Sequence, residues 1–271
     1  MRSLTAIVLI PVIAAATRAD EPHIDFARGL RGRGMPDLAA DYLQRLRPKA
    51  PASIRDVLPL EIAAAQLDRA VHEGNDARRE RQFAEARSAY ETFLRTQPNH
   101  PAAVEATLDL ARLMSLQGKY CLARARRSDD AGRRKAWLAQ ARPLFASAAA
   151  QLADVRRRID ERLQRLGAPG NQSGRTERAA LTSASLEAEL EFGVNLFHAA
   201  LAMPDQSAEE IRARAGEIAK ARAALERLAK KNADHPSCWQ ARVWLGRCAL
   251  ELDSQADARR IFEAVAGEAT P

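Results

Sequence analysis

The chain has 271 residues, 46% apolar and 28% charged, enough for a folded protein of one or two domains. Aromatics are only 5%, and strictly alternating runs of Val, Ile, Tyr and Phe are absent, which gives strands little support and favours close helix–helix packing on alanine. The formal charge of +7 is carried mainly by arginine spread along helical segments, a pattern of a salt-bridged surface more than of a nucleic-acid binder.

The first 19 residues read as a secretory signal peptide. Arg2 precedes an apolar stretch from Leu4 to Ala16, and small residues follow, with cleavage expected after Ala16 or Ala19. The stretch is shorter than the ~20 residues of a membrane span, and an uncleaved anchor is the alternative. Membrane association is expected only in that case. The sequence thus predicts export, to the periplasm or beyond.

Helices follow in order. Ile24–Gly32 and Leu38–Arg47 flank a turn at Gly34-Met-Pro-Asp, and Pro48, Pro51 and Ser53 then break the chain. Ile54–Glu73 and Asp76–Thr96 are the next two helices. The segment Gln97-Pro-Asn-His-Pro101 ends the second, and Pro101 opens a helix to about Leu116. Gly118-Lys-Tyr120 reads as a turn into a further helix. Ser128–Gly132 interrupts, and Arg133–Leu166 is a long helical pattern with Pro143 as a kink or break. The Gly- and Pro-containing stretch over 167–175 reads as a linker. Helix resumes from Thr176 to Ala202. Ser207 with Glu210 three residues on is a capping box for a helix to about Lys231, and Ser237–Glu251 and Gln255–Val265 close the chain.

Part of the chain is copied within it. Shifted by 135 residues, Ala86–Arg124 lies on Ala221–Arg259 without a gap. The matches include Ala86/Ala221, Glu91/Glu226, His100/His235, Pro101/Pro236, Leu110/Leu245, Arg112/Arg247 and Ala123/Ala258. Each copy reads helix, a turn ending in His-Pro, then helix. One helical pair cannot bury its own apolar face, so repeated pairs predict a stacked solenoid, an architecture that usually binds other proteins.

The spacing within the copies has a recognisable form. Leu245-Gly246 is followed by Ala258, Phe262 and Val265; Gly74 by Ala86, Tyr90, Phe93 and Pro98; Gly34 by Ala39, Leu43 and Leu46. Ala221, Leu225 and Leu228 repeat the second half, and Gly118-Lys-Tyr120-x-x-Ala123 matches the inter-helix turn. This resembles the tetratricopeptide repeat, a 34-residue helix–turn–helix unit. The resemblance implies an all-α helical-repeat solenoid of four to six pairs. Gly246, Ala86, Ala123 and Ala258 would lie where the two helices of a pair cross, and Tyr90, Phe262 and Leu225 on second helices would fill the gap to the next repeat. It organises the chain as N-terminal repeats over 22–125, irregular long helices over 126–205 and C-terminal repeats over 206–271. Tyr90–Pro101 is similar to the subtype found in bacterial envelope proteins, which implies a scaffold or adaptor in the cell envelope, not an enzyme, working on a protein or peptide partner.

No residue pattern supports chemistry. Pro169–Thr176 has proline and arginine where a phosphate loop needs glycine and lysine, and it follows a helix. Gly29-x-x-Gly32-x-Gly34 is no dinucleotide fingerprint, and no metalloprotease or serine-hydrolase motif is present. His100 and His235 read as turn residues, and His198, beside Phe197 and Leu201, as a core-edge residue. Cys238 and Cys248 fall on one helix about 15 Å apart, beyond disulfide reach, and with Cys121 read as buried thiols. No cofactor or metal is expected. Arg156-Arg-Arg158 alternates with Asp154, Asp160 and Glu161 at ion-pairing distance along a helix.

The resemblance places ligands along the first helix of each pair, and so on Glu105, Arg112, Gln240, Arg247 and Glu251. Two readings of the matched Arg112 and Arg247 stay open: a clamp on a partner's carboxylate, or bridges to acids of an adjacent helix. A second functional reading also stays open, an accessory protein binding a small molecule or anionic envelope polymer through the central helices. The chain ends at Gly267–Pro271 with no separate polar capping helix in the pattern, which suggests self-association there or a longer protein.

Overall fold

The computed structural model describes residues 22–166, 172–231 and 235–268. The expected leader, positions 167–171 of the expected linker and positions 232–234 of the second turn lie outside the described residues. Among the described residues there are eleven α-helices and no strand: α1 (Pro22–Gly32), α2 (Pro36–Leu46), α3 (Ala52–Arg55), α4 (Leu58–His72), α5 (Asp76–Thr96), α6 (Ala103–Arg127), α7 (Ala131–Arg165), α8 (Gln172–Leu201), α9 (Ala208–Ala229), α10 (Pro236–Glu251) and α11 (Gln255–Glu268).

Local chemistry sets most starts. The Asn75 side chain accepts the Arg78 backbone N–H at 3.0 Å ahead of α5, and Asp130 accepts that of Arg133 at 2.6 Å ahead of α7. His100 and His235 do the same work with imidazole: each Nδ1 accepts a backbone N–H two residues on, Ala102 at 3.1 Å and Ser237 at 3.2 Å. Their structural reading holds, and Pro101 and Pro236 beside them need no donor at a helix start. At α9 the Ser207 hydroxyl accepts the Glu210 N–H while the Glu210 carboxylate accepts that of Ser207. Ser207→Ala removes half of this reciprocal cap and should cost about 1 kcal/mol, read as a lower midpoint in thermal denaturation.

The helices pack in chain order as five pairs: α1/α2, α4/α5, α6/α7, α8/α9 and α10/α11. The second helix of each pair also packs on the first helix of the next. First helices touch along the series α1–α4–α6–α8–α10, whereas second helices make no comparable contact with one another. The stack therefore curves with its first helices inside. Two apolar clusters follow one another along it, the first centred on Leu43, Ile54, Leu113 and Leu152, the second on Phe145, Phe197, Ile218 and Leu225.

Several boundaries differ from the sequence reading: α8 already begins at Gln172, inside the expected linker, and α7 passes through Pro143 as one helix. The expected helix from Ile54 is split at Asp56-Val57, because Pro59 opens a new helix at its second position. More consequentially, there is no turn at Gly118-Lys-Tyr120. Helix α6 runs unbroken through it to Arg127, and Ala123, expected at a crossing, is exposed. Gly118 is there for space: a Cβ would lie 2.7 Å from the Phe145 ring of α7. Its counterpart in the other copy, Asp253, is where the chain does turn, at φ 55°, a left-handed conformation that aspartate tolerates.

The same glycine contact recurs in three successive pairs. Gly193 of α8 faces Leu225 of α9, where a Cβ would fall 2.8 Å from the side chain, and Gly246 of α10 faces Phe262 of α11, at 2.5 Å. The long central helices α7 and α8, 35 and 30 residues, thus continue the same pairing at stretched length. At the far end α11 turns Arg259, Arg260 and Glu263 to solvent, so the exposed face of the last helix is charged.

Candidate protein-binding face

Seven-residue steps along an α-helix drift by only about 20°, so residues at that spacing form one stripe. On α6 the stripe is Glu105, Arg112, Lys119 and Arg126; on α4 it is Glu61 and Asp68; on α10 it is Gln240 and Arg247. These stripes, with Arg28 and Arg31 of α1 and Glu187 and Glu191 of α8, meet across the first helices.

The part over α1, α4, the first half of α6 and the middle of α8 is a ladder of ion pairs. The buried Glu61 accepts from Arg28 Nη2 at 2.5 Å and lies 3.6 Å from Arg31, which also holds Asp68 at 2.6 Å. Arg28 reaches Glu105 at 3.5 Å. Arg112 then bridges to α8, donating from Nε to Glu191 at 2.9 Å, with Glu187 at 3.7 Å and Asp109 at 3.5 Å. Burial alone would lower the Arg112 pKa, but the charges of Glu191 and Asp109 and the hydrogen bond to Glu191 hold it above its ordinary value. Burial lifts Asp109, opposed by Arg112, and burial with the Glu191 charge lifts Glu187. Of the two readings of Arg112, the structure has the bridge.

The other half is built differently. His198 of α8 is buried and stacks on Phe145 at 5.3 Å between centroids, with Phe197 at 5.6 Å and Trp244 of α10 at 5.4 Å. Its Nδ1 is buried without a hydrogen-bond partner. Burial, then Lys119, Arg247 and Arg126, push the His198 pKa down to about 3, so the ring is neutral. The Arg247 guanidinium lies 4.3 Å over the Trp244 ring and 5.7 Å from that of Phe197. Arg112 and Arg247, matched in sequence, therefore serve different partners, one carboxylates and the other aromatic rings. Glu251, expected beside Arg247, is held by Arg214 of α9 at 2.7 Å. Gln240 is exposed on the same stripe.

Sequence reasoning missed Lys119, Arg126, His198 and Trp244 as members of this face. The seven-residue spacing from Glu105 through Arg126 could have supplied the first two, had a turn not been read at Gly118.

Outside this face little offers chemistry. Two surface recesses lie on the second helices, one along α7 at Arg156, Arg157, Asp160 and Glu161, the other between α5, α6 and α7. The arginines of the central α7 run are engaged: Arg157 with Asp154 and Glu161, Arg158 with Asp154, and Arg156 with Glu189 of α8 at 3.3 Å. Among the described residues no acid, histidine or cysteine cluster could hold a metal, and no helix is long and apolar enough to cross a membrane. All three cysteines are free and buried, and burial first of all pushes the Cys121 thiol up to about 11 and that of Cys248 to about 12. A thiol-specific reagent such as Ellman's should accordingly label none of them in the native chain and all three in denaturant.

Comparison with family models matches residues 71–133 and 211–271 to the tetratricopeptide repeat. These two segments carry tetratricopeptide repeats. The two matched segments contain the two copies found by self-comparison, and the family is in general a non-catalytic protein-interaction module. No curated protein matches the chain in a sequence comparison.

Proposed function

We propose that this repeat protein is an exported scaffold or adaptor of the bacterial cell envelope that holds a protein or peptide partner along the inner face formed by α1, α4, α6, α8 and α10. The observation that carries the binding role is the pairing of a repeat known for protein interaction with an inner face lined by charged and aromatic side chains from successive first helices. The apolar segment Leu4–Ala16 after Arg2 supports export, and the wording of Tyr90–Pro101 supports the envelope.

A photo-crosslinking amino acid at Gln240, on the inner face, tests the reading against one at Arg142, exposed on α7. In cells of the source organism, discrete adducts from position 240 and none from position 142 are expected. Equal labelling from both, or none, would overturn it. Mass spectrometry of the purified chain checks export: the mature N-terminus should begin after Ala16 or Ala19.

A further inference from the structure

The two ends of the stack differ in chemistry. At the last pair α11 turns charged side chains outward, whereas at the first pair α1 and α2 turn apolar ones outward. Phe26 is 53% exposed, Leu38 56% and Met35 44%, three of the seven large apolar side chains that stand open to solvent among the described residues. They form one patch. The Phe26 ring meets that of Tyr42 edge-on at 4.9 Å between centroids, and Tyr42 lies one turn from Leu38 on α2. The Met35 backbone N–H donates to the Leu30 carbonyl at 2.9 Å, which holds the turn against α1. A hydrogen bond between the Tyr42 hydroxyl and His23 Nδ1 fixes the ring in the middle of the patch. The opposite sides of the two helices carry Ile24, Ala27, Ala39 and Leu43, all buried, so the patch faces away from the rest of the stack.

A repeat stack buries the apolar face of each pair under its neighbours. Every later pair has one before it, and α1/α2 has none among the described residues. Gly29 is a second sign. Glycine inside a helix lowers stability relative to alanine, and at Gly118, Gly193 and Gly246 this is offset by a side chain of the neighbouring helix that fills the space. Gly29, one turn from Phe26 on α1, has nothing within 4 Å of where a Cβ would lie. The removed leader cannot cover this end. Cleavage after Ala16 or Ala19 leaves at most Thr17–Glu21 ahead of α1, a segment with no apolar side chain larger than that of alanine. The rim of the patch is balanced in sign, with Asp25 and Asp41 against Arg33 and Arg45, all exposed. A second copy brought up by a two-fold axis can thus set acids toward bases, where a rim of one sign would repel its own copy.

We infer that the end of the stack formed by Phe26, Gly29, Met35, Leu38 and Tyr42 is the contact by which two copies of the mature chain join end to end. A two-fold contact buries both patches at once, and the charged outer face of α11 closes the assembly at two copies. The inner faces stay open and become two sites in one particle, so a partner with two binding segments is held more tightly than by either site alone. The sequence pattern suggested self-association at the C-terminal end; the apolar end is the opposite one. The inference rests on removal of the leader, as the export reading requires, and does not depend on what the inner face binds.

The purified mature chain, its N-terminus fixed by mass spectrometry, is followed by sedimentation equilibrium over a hundredfold range of concentration. A reversible monomer–dimer equilibrium with no larger species is expected. Leu38→Glu should raise the dissociation constant at least tenfold, and so should Gly29→Arg, at a position where the folded chain leaves a side chain free space. Both variants should keep the wild-type circular dichroism and, at a concentration where all are monomeric, melt no lower than the wild type. Arg259→Glu/Arg260→Glu on α11 should dimerise as the wild type does. A mature chain that is monomeric throughout, open-ended assembly, dimers indifferent to Leu38→Glu and Gly29→Arg, or dimers lost in the α11 variant would each overturn the end contact. The N-terminal mass separates the two levels: a cleaved chain that stays monomeric overturns this inference alone, whereas a retained leader overturns the export reading and this contact with it.

Discussion

Phe145→Ala is expected to lower the stability of the chain by about 3–5 kcal/mol, the usual cost of emptying a fully buried phenylalanine site. The Phe145 ring has no solvent exposure, fills the space that Gly118 leaves on α6, and stacks on His198 of α8. It therefore joins three helices, where most apolar side chains of a stacked repeat join two. The reverse substitution should be damaging too. Gly118→Val would set a branched side chain where even a Cβ meets the ring at 2.7 Å, and should cost about 1–3 kcal/mol by overpacking. If the two effects share one cause, they are not additive. Gly118→Ala should be less harmful in a Phe145→Leu background than in the wild type, a coupling that urea denaturation of the four proteins measures. Additivity would mean that Gly118 serves another purpose. Because α6/α7 lies mid-stack, Phe145→Ala should also broaden the transition, as the two ends begin to unfold separately.

That contact shows what was legible in the sequence and what was not. Gly246 and Phe262 are sixteen residues apart in a compact pair; the sequence marked both, Gly246 for the crossing and Phe262 for the gap to the next repeat, and the structure sets them against each other. Gly118 and Phe145, and Gly193 and Leu225, make the same contact at separations of 27 and 32, because the helices carrying them are longer. The packing rule is conserved in space while its sequence spacing is not, so the central pairs look irregular to a pattern of fixed period. The outer boundaries were plain, α5 at Asp76–Thr96 being the clearest, because side-chain caps and prolines punctuate them. The glycine at 118 carried the opposite signal. Glycine reads as a break when its neighbours in space are unknown, and only the Phe145 ring shows it to be a packing residue. That misplaced turn divided the α6 stripe after Arg112, and with it went the relation of Lys119 and Arg126 to Glu105 and Arg112. The burial of His198 among rings was within reach of its apolar neighbours. Its place beside cations from α6 and α10 was not, since it arises only from the stacking of three pairs.

Arg112→Met should destabilise the chain at neutral pH and do so less as pH falls. The variant keeps the length of the side chain and removes the cation that, among the described residues, touches Asp109, Glu187 and Glu191 together. Breaking a buried ion pair commonly costs about 3–5 kcal/mol, but the Arg112 side chain is 36% exposed, so solvent screening reduces the expected loss to about 1–2 kcal/mol at pH 7.5. The sign of the pH dependence follows from the carboxyls left behind. Asp109 and Glu187 are already held above their ordinary values in the folded chain, and loss of Arg112 raises both further. A carboxyl with a raised folded pKa binds its proton in the native state before it does so in the unfolded one, and stability then rises as pH falls through the folded pKa. Urea unfolding of wild type and variant at pH 7.5 and pH 5 should show the difference between them narrowing at the lower pH. A difference that stays constant would place the effect in lost packing and not in the carboxylates. The result also bears on how the binding face is probed. Charge reversal at Arg112 would set a carboxylate beside Asp109, Glu187 and Glu191 and loosen the α6–α8 contact, so loss of a partner in such a variant would not distinguish a missing ligand contact from a disturbed fold. Substitution at Lys119 or Arg247, which solvent reaches and which take part in no ion pair among the described residues, avoids that ambiguity.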